Sequence, residues 1–289
     1  MGRFCITKYV TDEREFQDTD LQHFINFLII GFTVIFLMSV ATVPLIALWG
    51  MLSSRRSSVV APIAVASAIR HQSAVLLALV SVTVIATCTV QDTPITTAHG
   101  LWCAAIIGCI AVVELVYEHR EDASPLEESK RSVYKFAIGH SVFEVAIITG
   151  LVLYGEHILN VPSGRWATLY SNPSVHFTVV FNVFVFMTFF TWFNARAACV
   201  GYSKVFSFVR KLLLCPIFWT ALTVCVVGQI LFVQFGGSYL HVHPLTFAQW
   251  GASIGLSAPI LMWGAILNCI PPRIKPLSNS NPYQAAVKE

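Results

Sequence analysis

Charge is scarce in this sequence. Its 289 residues include 18 Lys and Arg and 15 Asp and Glu, so that charged side chains make up 11%, against roughly 25% in soluble domains. Apolar residues reach 56% and the mean hydropathy is +0.70. A water-soluble fold of this size would have to leave large apolar patches exposed. Disorder is excluded by the same numbers, because a disordered chain combines low hydrophobicity with high charge. No Cys-x-x-Cys pair occurs among the eight cysteines, and seven of them, from Cys88 to Cys269, lie in or beside apolar runs. They read as small packed hydrophobes, and neither a disulfide frame nor a zinc site is expected. The net charge of +3 is too small and too scattered for nucleic acid. Ile6 breaks the myristoylation pattern, and no secretory signal is evident. Asp12, Glu13, Glu15, Asp18 and Asp20 argue against a cleaved mitochondrial presequence. What is left is a polytopic membrane protein.

The apolar residues are gathered into seven stretches long enough for a bilayer core, which takes about 20 residues of helix. They run Phe24 to Leu52, Ala74 to Val90, Leu101 to Tyr117, Phe136 to Tyr154, Phe177 to Phe193, Leu213 to Phe235 and Phe247 to Ile270. Helix-compatible sequence extends the second back through Ala64 to His71. The expected fold is all-α: a seven-helix transmembrane bundle over residues 24–270, between a polar tail at 1–23 and a second at 271–289. Of the 18 Lys and Arg, 14 fall on one side of such a bundle, from Arg55 and Arg56 to Lys288; only Arg3, Lys8, Arg14 and Arg165 fall on the other. The positive-inside rule then places the C-terminus in the cytosol or the mitochondrial matrix, and the N-terminal tail on the exoplasmic side.

Several motifs carry a family resemblance. His176-Phe-Thr-Val-Val-Phe-Asn-Val-Phe-Val-Phe-Met187, followed by Phe193-Asn-Ala-Arg196, resembles the eighth membrane helix of plasma-membrane-type calcium pumps, which are P-type ATPases. Phe232-Val-Gln-Phe-Gly-Gly237, Gln249-Trp250, Met262-Trp-Gly264 and Ile270-Pro271 are similar to the last two helices of that family. Gly139-His140 resembles the head of the seventh helix, and Gln91-Asp-Thr-Pro94 with Leu101-Trp102 the turn between the fifth and sixth. Phe27-Leu-Ile-Ile-Gly31, Thr33-Val34 and Pro44-Leu45 are similar to the fourth. Residues 24 to 275 thus resemble helices four to ten of such a pump, and the orientation read from charge agrees with the family's.

The resemblance also implies losses. Between their fourth and fifth helices the pumps carry a nucleotide-binding insertion with a phosphorylated Asp in DKTG; here Leu52-Ser-Ser-Arg-Arg-Ser-Ser58 stands in that place, and neither DKTG nor TGES occurs. No nucleotide, cofactor or ATPase activity is therefore expected of this chain. Calcium takes six to eight oxygen ligands, and the family draws on a Glu in the fourth helix, an Asn in the fifth, and an Asn and an Asp in the sixth. Those positions read Ala41, Leu76, Ala104 and Gly108 here. The resemblance implies a vestigial ion site with no metal, and a more continuous first span bent only at Pro44.

The intramembrane polar residues each carry a functional and a plainer reading. Glu144 falls near the middle of its span with His140 one turn earlier on the same face. The pair reads as a proton or cation relay, or, more plainly, as two side chains satisfied by each other or by a neighbouring helix. Glu114 is expected to snorkel to the cytosolic edge, and Asn182 to bond another helix. His99, His157, His176, His241 and His243 are expected as headgroup-level loop residues rather than metal ligands. Trp49, Trp102, Trp250 and Trp263 are expected as interfacial anchors or packing residues. The functional expectation is a catalytically inactive, calcium-pump-like accessory subunit of a larger membrane complex, with other membrane subunits and lipids as partners. Its narrowest form is a supernumerary subunit of a respiratory complex or supercomplex in the mitochondrial inner membrane. The alternatives are a repurposed proton or cation transporter or channel using His140 and Glu144, or a regulatory partner of an intact pump.

Overall fold

The computed structural model describes residues 60–89, 94–111, 114, 130–165, 172–200 and 213–269. The first expected span, with Ala41, Pro44 and Trp49, lies outside them, as do both polar tails. The described residues form helices and connecting turns, with no strand among them. The helices are α1 (Val60–Thr89), α2 (Thr97–Ala111), α3 (Lys130–Leu159), α4 (Val175–Val200), α5 (Pro216–Phe235), α6 (Phe247–Ser257) and α7 (Pro259–Cys269). Among the described residues, five stretches are long and apolar enough to cross a membrane: Ala68–Ala86, Val133–Leu159, Val175–Ala198, Pro216–Phe235 and Phe247–Cys269; α2 is a shorter apolar helix. The protein is an all-helical, multi-pass membrane bundle. In hydrocarbon a helix satisfies its backbone groups within itself, which is why each long apolar run becomes one.

Local chemistry fixes where the helices begin and end. Thr96 caps α2 and Thr246 caps α6, each reciprocally with a residue three further on, His99 and Gln249. Cys215 precedes Pro216 at the head of α5, where a missing N–H costs nothing. The chain leaves α3 through Asn160 (φ 50°) and α5 through Gly237 (φ 50°), both left-handed. As expected, α1 extends well before Ala74, to Val60. The last expected span departs from a single rod: it is two helices meeting at Ala258, because Pro259 has no N–H to continue the ladder.

The centre of the bundle is α4. Its residues 176–189 are all buried, and it is apolar all round, as a helix walled in by others must be. Trp192, Phe181 and Phe184 of α4 are among the largest fully buried side chains. By contrast α5 turns Val224, Val227, Leu231 and Phe235 outward. It meets α2 where Gly228 lies under the Trp102 indole; a Cβ there would come within 2.6 Å of the ring. At Gly251 of α6 a Cβ would meet nothing within 4 Å. Gly228→Ala is therefore expected to lower stability by about 1–3 kcal/mol, the usual range for overpacking, while Gly251→Ala leaves it unchanged or raised. Unfolding midpoints of the two variants in mild detergent check this contrast.

Candidate functional site

Of the positions that the pump resemblance implies for ion ligands, Ala104 and Gly108 lie on α2 and Leu76 on α1, while Ala41 lies outside the described residues. Residues Leu101–Ile107 are π-helical. In an α-helix the Gly108 N–H would bond the Ala104 carbonyl; here it reaches one residue further back, to the Cys103 carbonyl, and to Ala105. Gln72 of α1 supplies the missing donor, its Nε2 donating to the Ala104 carbonyl at 2.8 Å. The same carboxamide lies against Gly108, where a Cβ would overlap Gln72 Oε1. Ala104 is buried, and Leu76 packs, half-buried, against the core. A neutral amide from α1 thus stands beside two positions of α2 that have no polar side chain.

His140 and Glu144 both lie on α3 and both are fully buried. No hydrogen bond or ion pair joins them; each is fastened to α4. The Thr191 hydroxyl donates to Glu144 Oε1 at 2.6 Å. The Asn194 amide donates to His140 Nε2 at 3.1 Å and to the Ile260 carbonyl of α7 at 2.9 Å. Since Nε2 accepts, the proton of His140 sits on Nδ1, which donates to the Phe136 carbonyl at 3.0 Å. Every nitrogen of His140 is used. Among the described residues, Glu144 Oε2 has no partner, nor has either ring nitrogen of the fully buried His71.

Glu114 differs from expectation. Rather than snorkelling it is 1% exposed, paired with Arg196 of α4, and it accepts from Trp192 Nε1 at 2.9 Å. The Arg196 guanidinium also lies over the Phe218 ring, 4.9 Å from its centroid. A buried carboxylate facing an arginine is better satisfied there than at the end of a stretched side chain. Asn182 makes the interhelical bond expected of it: Trp102 Nε1 donates to Gln229 Oε1 at 2.6 Å, and Gln229 Nε2 donates to Asn182 Oδ1 at 3.0 Å, joining α2, α5 and α4.

Two of the histidines expected in loops are buried fasteners. His176 donates from Nε2 to the Leu151 carbonyl at 2.8 Å and accepts the Gly164 N–H on Nδ1 at 3.2 Å. His99 accepts the Thr96 N–H on Nδ1, reaches the Leu240 carbonyl through Nε2 at 2.8 Å, and stacks on Phe181 with centroids 4.0 Å apart. The Thr96-x-x-His99 spacing is a local signal for the role of His99; nothing local marks that of His176. His157 and His243 are exposed, and His157 lies 3.4 Å from Glu156. Trp263 Nε1 donates to the Gly139 carbonyl, while Trp250 packs edge-on against Phe186. Among the described residues, no three His, Cys, Asp or Glu side chains stand close enough to hold a metal ion.

Residues 93–270 match the family model for the C-terminus of cation-transporting ATPases. The chain is 33% identical over 196 residues to the plasma membrane calcium-transporting ATPase mca-1 of Caenorhabditis elegans, covering 65% of this chain and 15% of that protein. It is also 33% identical over 193 residues to plasma membrane calcium-transporting ATPase 4 of Bos taurus, and over 192 residues to plasma membrane calcium-transporting ATPase 3 of Homo sapiens; each match covers 64% of this chain. The matched stretch spans 15–16% of the length of these relatives.

Removing one side of the Glu114–Arg196 pair strands a buried charge. Arg196→Met alone is expected to cost about 3–5 kcal/mol, and the double variant Glu114→Met with Arg196→Met much less than the two single losses added. A double-mutant cycle on unfolding in detergent measures the coupling.

Proposed function

This chain belongs to the cation-transporting ATPase C-terminus family, and from that premise we propose that it is a pump-derived membrane bundle without catalysis of its own, serving as a structural accessory subunit of a larger membrane complex. The observation that carries this reading is the Gln72 carboxamide at Ala104 and Gly108. Where the pump resemblance calls for oxygen-bearing ligands, this chain has Leu76, Ala104 and Gly108, and a neutral amide bonds the freed carbonyl. Calcium binding needs several oxygens converging on one point, most of them charged or carbonyl; a filled, neutral contact gives it no seat. The absence of DKTG from the sequence supports the same conclusion for phosphoryl transfer.

The charge asymmetry of the sequence supports a C-terminus on the cytosolic or matrix side. Bound lipids and other membrane subunits cover the outward apolar face of α5. The narrowest form of the proposal is a supernumerary subunit of a respiratory complex or supercomplex in the mitochondrial inner membrane.

One observation favours a second reading, a repurposed proton or cation path. Glu144 is fully buried and its Oε2 has no partner among the described residues, and intramembrane carboxyl groups commonly mark such paths. Against it, His140 has both nitrogens engaged and Glu144 is held by α4.

Purification of the tagged native protein in mild detergent, with mass spectrometry of its native-gel band, tests the first reading. Migration with stoichiometric membrane subunits is expected, and those subunits name the compartment. Migration alone or only with itself overturns the accessory role, and copurifying intact pump chains would replace it with a pump-partner role. The purified chain in liposomes is expected to pass neither protons nor calcium above empty vesicles. A flux that Glu144→Gln abolishes would establish the second reading instead.

A further inference from the structure

We infer that Gln72 is a latch that selects between two registers of α2, with the Ala104 carbonyl as the group for which two donors compete. An α-helical α2 would bond the Gly108 N–H to the Ala104 carbonyl, closing the ordinary ring. In the structure that N–H is displaced to the Cys103 carbonyl, and Gln72 Nε2 takes Ala104. At Ala104 the two arrangements differ by which donor holds the buried oxygen. An unpaired carbonyl in this setting is costly, so α2 adopts the π register while Gln72 is seated and the α register when it is withdrawn.

Gly108 is part of the same device. Any Cβ at that position would press on the Gln72 carboxamide, overlapping Oε1. The glycine therefore leaves room for the latch, at a place where a helix interior otherwise prefers a side chain.

Both ends of α2 depend on the choice. A π segment inserts the equivalent of one residue into the helix, rotating the N-terminal half by about 100° relative to the C-terminal half. With the π register in place, His99 and Trp102 on one side meet the Leu240 carbonyl and Gln229, while Glu114, three residues past the described end of α2, meets Arg196 and Trp192. Removing the inserted residue breaks the contacts at one end or the other. The latch is thus a conformational device: withdrawal of one side chain on α1 rotates half of α2 and releases either α5 or α4 from it.

The test is a nitroxide scan of residues 101–111 in the full chain, in a cysteine-free background and reconstituted into liposomes, reading collision with dissolved oxygen. In the otherwise native sequence, labels at Cys103, Ala104 and Ile107 should be shielded and a label at Ile106 accessible, following their burial; an unbroken period of about 3.6 residues through the segment would overturn the inference. Gln72→Met keeps the length of the side chain and removes its donor. It is expected to shift the phase of residues 101–104 while leaving 108–111 in place, so that Cys103 becomes as accessible as Ile106. A Gln72→Met scan identical to the native one overturns the latch, whatever the loss of stability, because a packing role alone would not move the register. If Gln72→Met does not insert, Gly108→Ala decides by the same criterion.

Discussion

Most helices described in this bundle are fastened to α4, while α1 is tied to α3 through Ser141 and to α2 through Gln72. In water a helix is held to its neighbours largely by burial of apolar surface, but between helices in lipid that driving force is absent, and packing together with interhelical hydrogen bonds must do the work. The polar residues of α4 are distributed accordingly. His176 takes the end of α3, Asn182 takes α5 through Gln229, Thr191 and Asn194 take the middle of α3, and Arg196 with Trp192 takes Glu114, three residues past α2. Its backbone serves too, since the Val183 carbonyl accepts from Ser257 of α6 at 3.0 Å. Each neighbour is tied at a different height. The helix reads from its composition as a featureless apolar rod, yet its few polar side chains determine which face meets which partner.

This arrangement explains which parts of the fold were legible in the sequence. A span must be apolar for about 20 residues because hydrocarbon offers no partner to a polar group, so five of the expected spans reappear as the long helices and a sixth as α2. The break in the last span had a visible cause in Pro259. Asn182 could be assigned an interhelical bond because a lone amide in lipid has few other options. What was hidden depends on residues distant in the chain. Glu114 looked like an edge residue because its partner, Arg196, lies on another helix. The π segment of Leu101–Ile107 contains no unusual residue of its own; its cause is a glutamine on α1.

The candidate site was legible in one sense only. Reading Leu76, Ala104 and Gly108 beside the pump resemblance located a place where polar ligands are missing. It did not reveal what fills that place. Gln72 lies beside the stretch read simply as helix-compatible, and a single amide there carries no signal by itself. Likewise the spacing of His140 and Glu144 put them on one face, from which a mutual pair was the natural expectation. The structure instead gives each its own partner on α4, because Thr191 and Asn194 are also one turn apart and run antiparallel to them. Spacing on one helix says that two groups can meet; the facing helix decides whether they do.

The same ties bear on the choice between a scaffold and a transporter. Alternating access requires two arrangements of the helices with comparable free energies, and transporters reach this by rocking one group of helices against another. Here, among the described residues, rocking α3 against α4 would break the bonds of Glu144, His140 and His176 together, and moving α2 would separate the buried Glu114–Arg196 pair. Each broken tie leaves a polar group in hydrocarbon, at a cost of the order of 1–3 kcal/mol for a neutral group and more for a charge. Such costs add in one direction unless a bound ion or ligand makes up the difference in the second state. At Ala104 and Gly108 the compensation is already built in as Gln72, whose exchange for the Gly108 N–H trades one hydrogen bond for another. Motion in this bundle is therefore cheapest as a local change of helix register and most costly as a global rocking, which is the balance the proposed accessory role would call for.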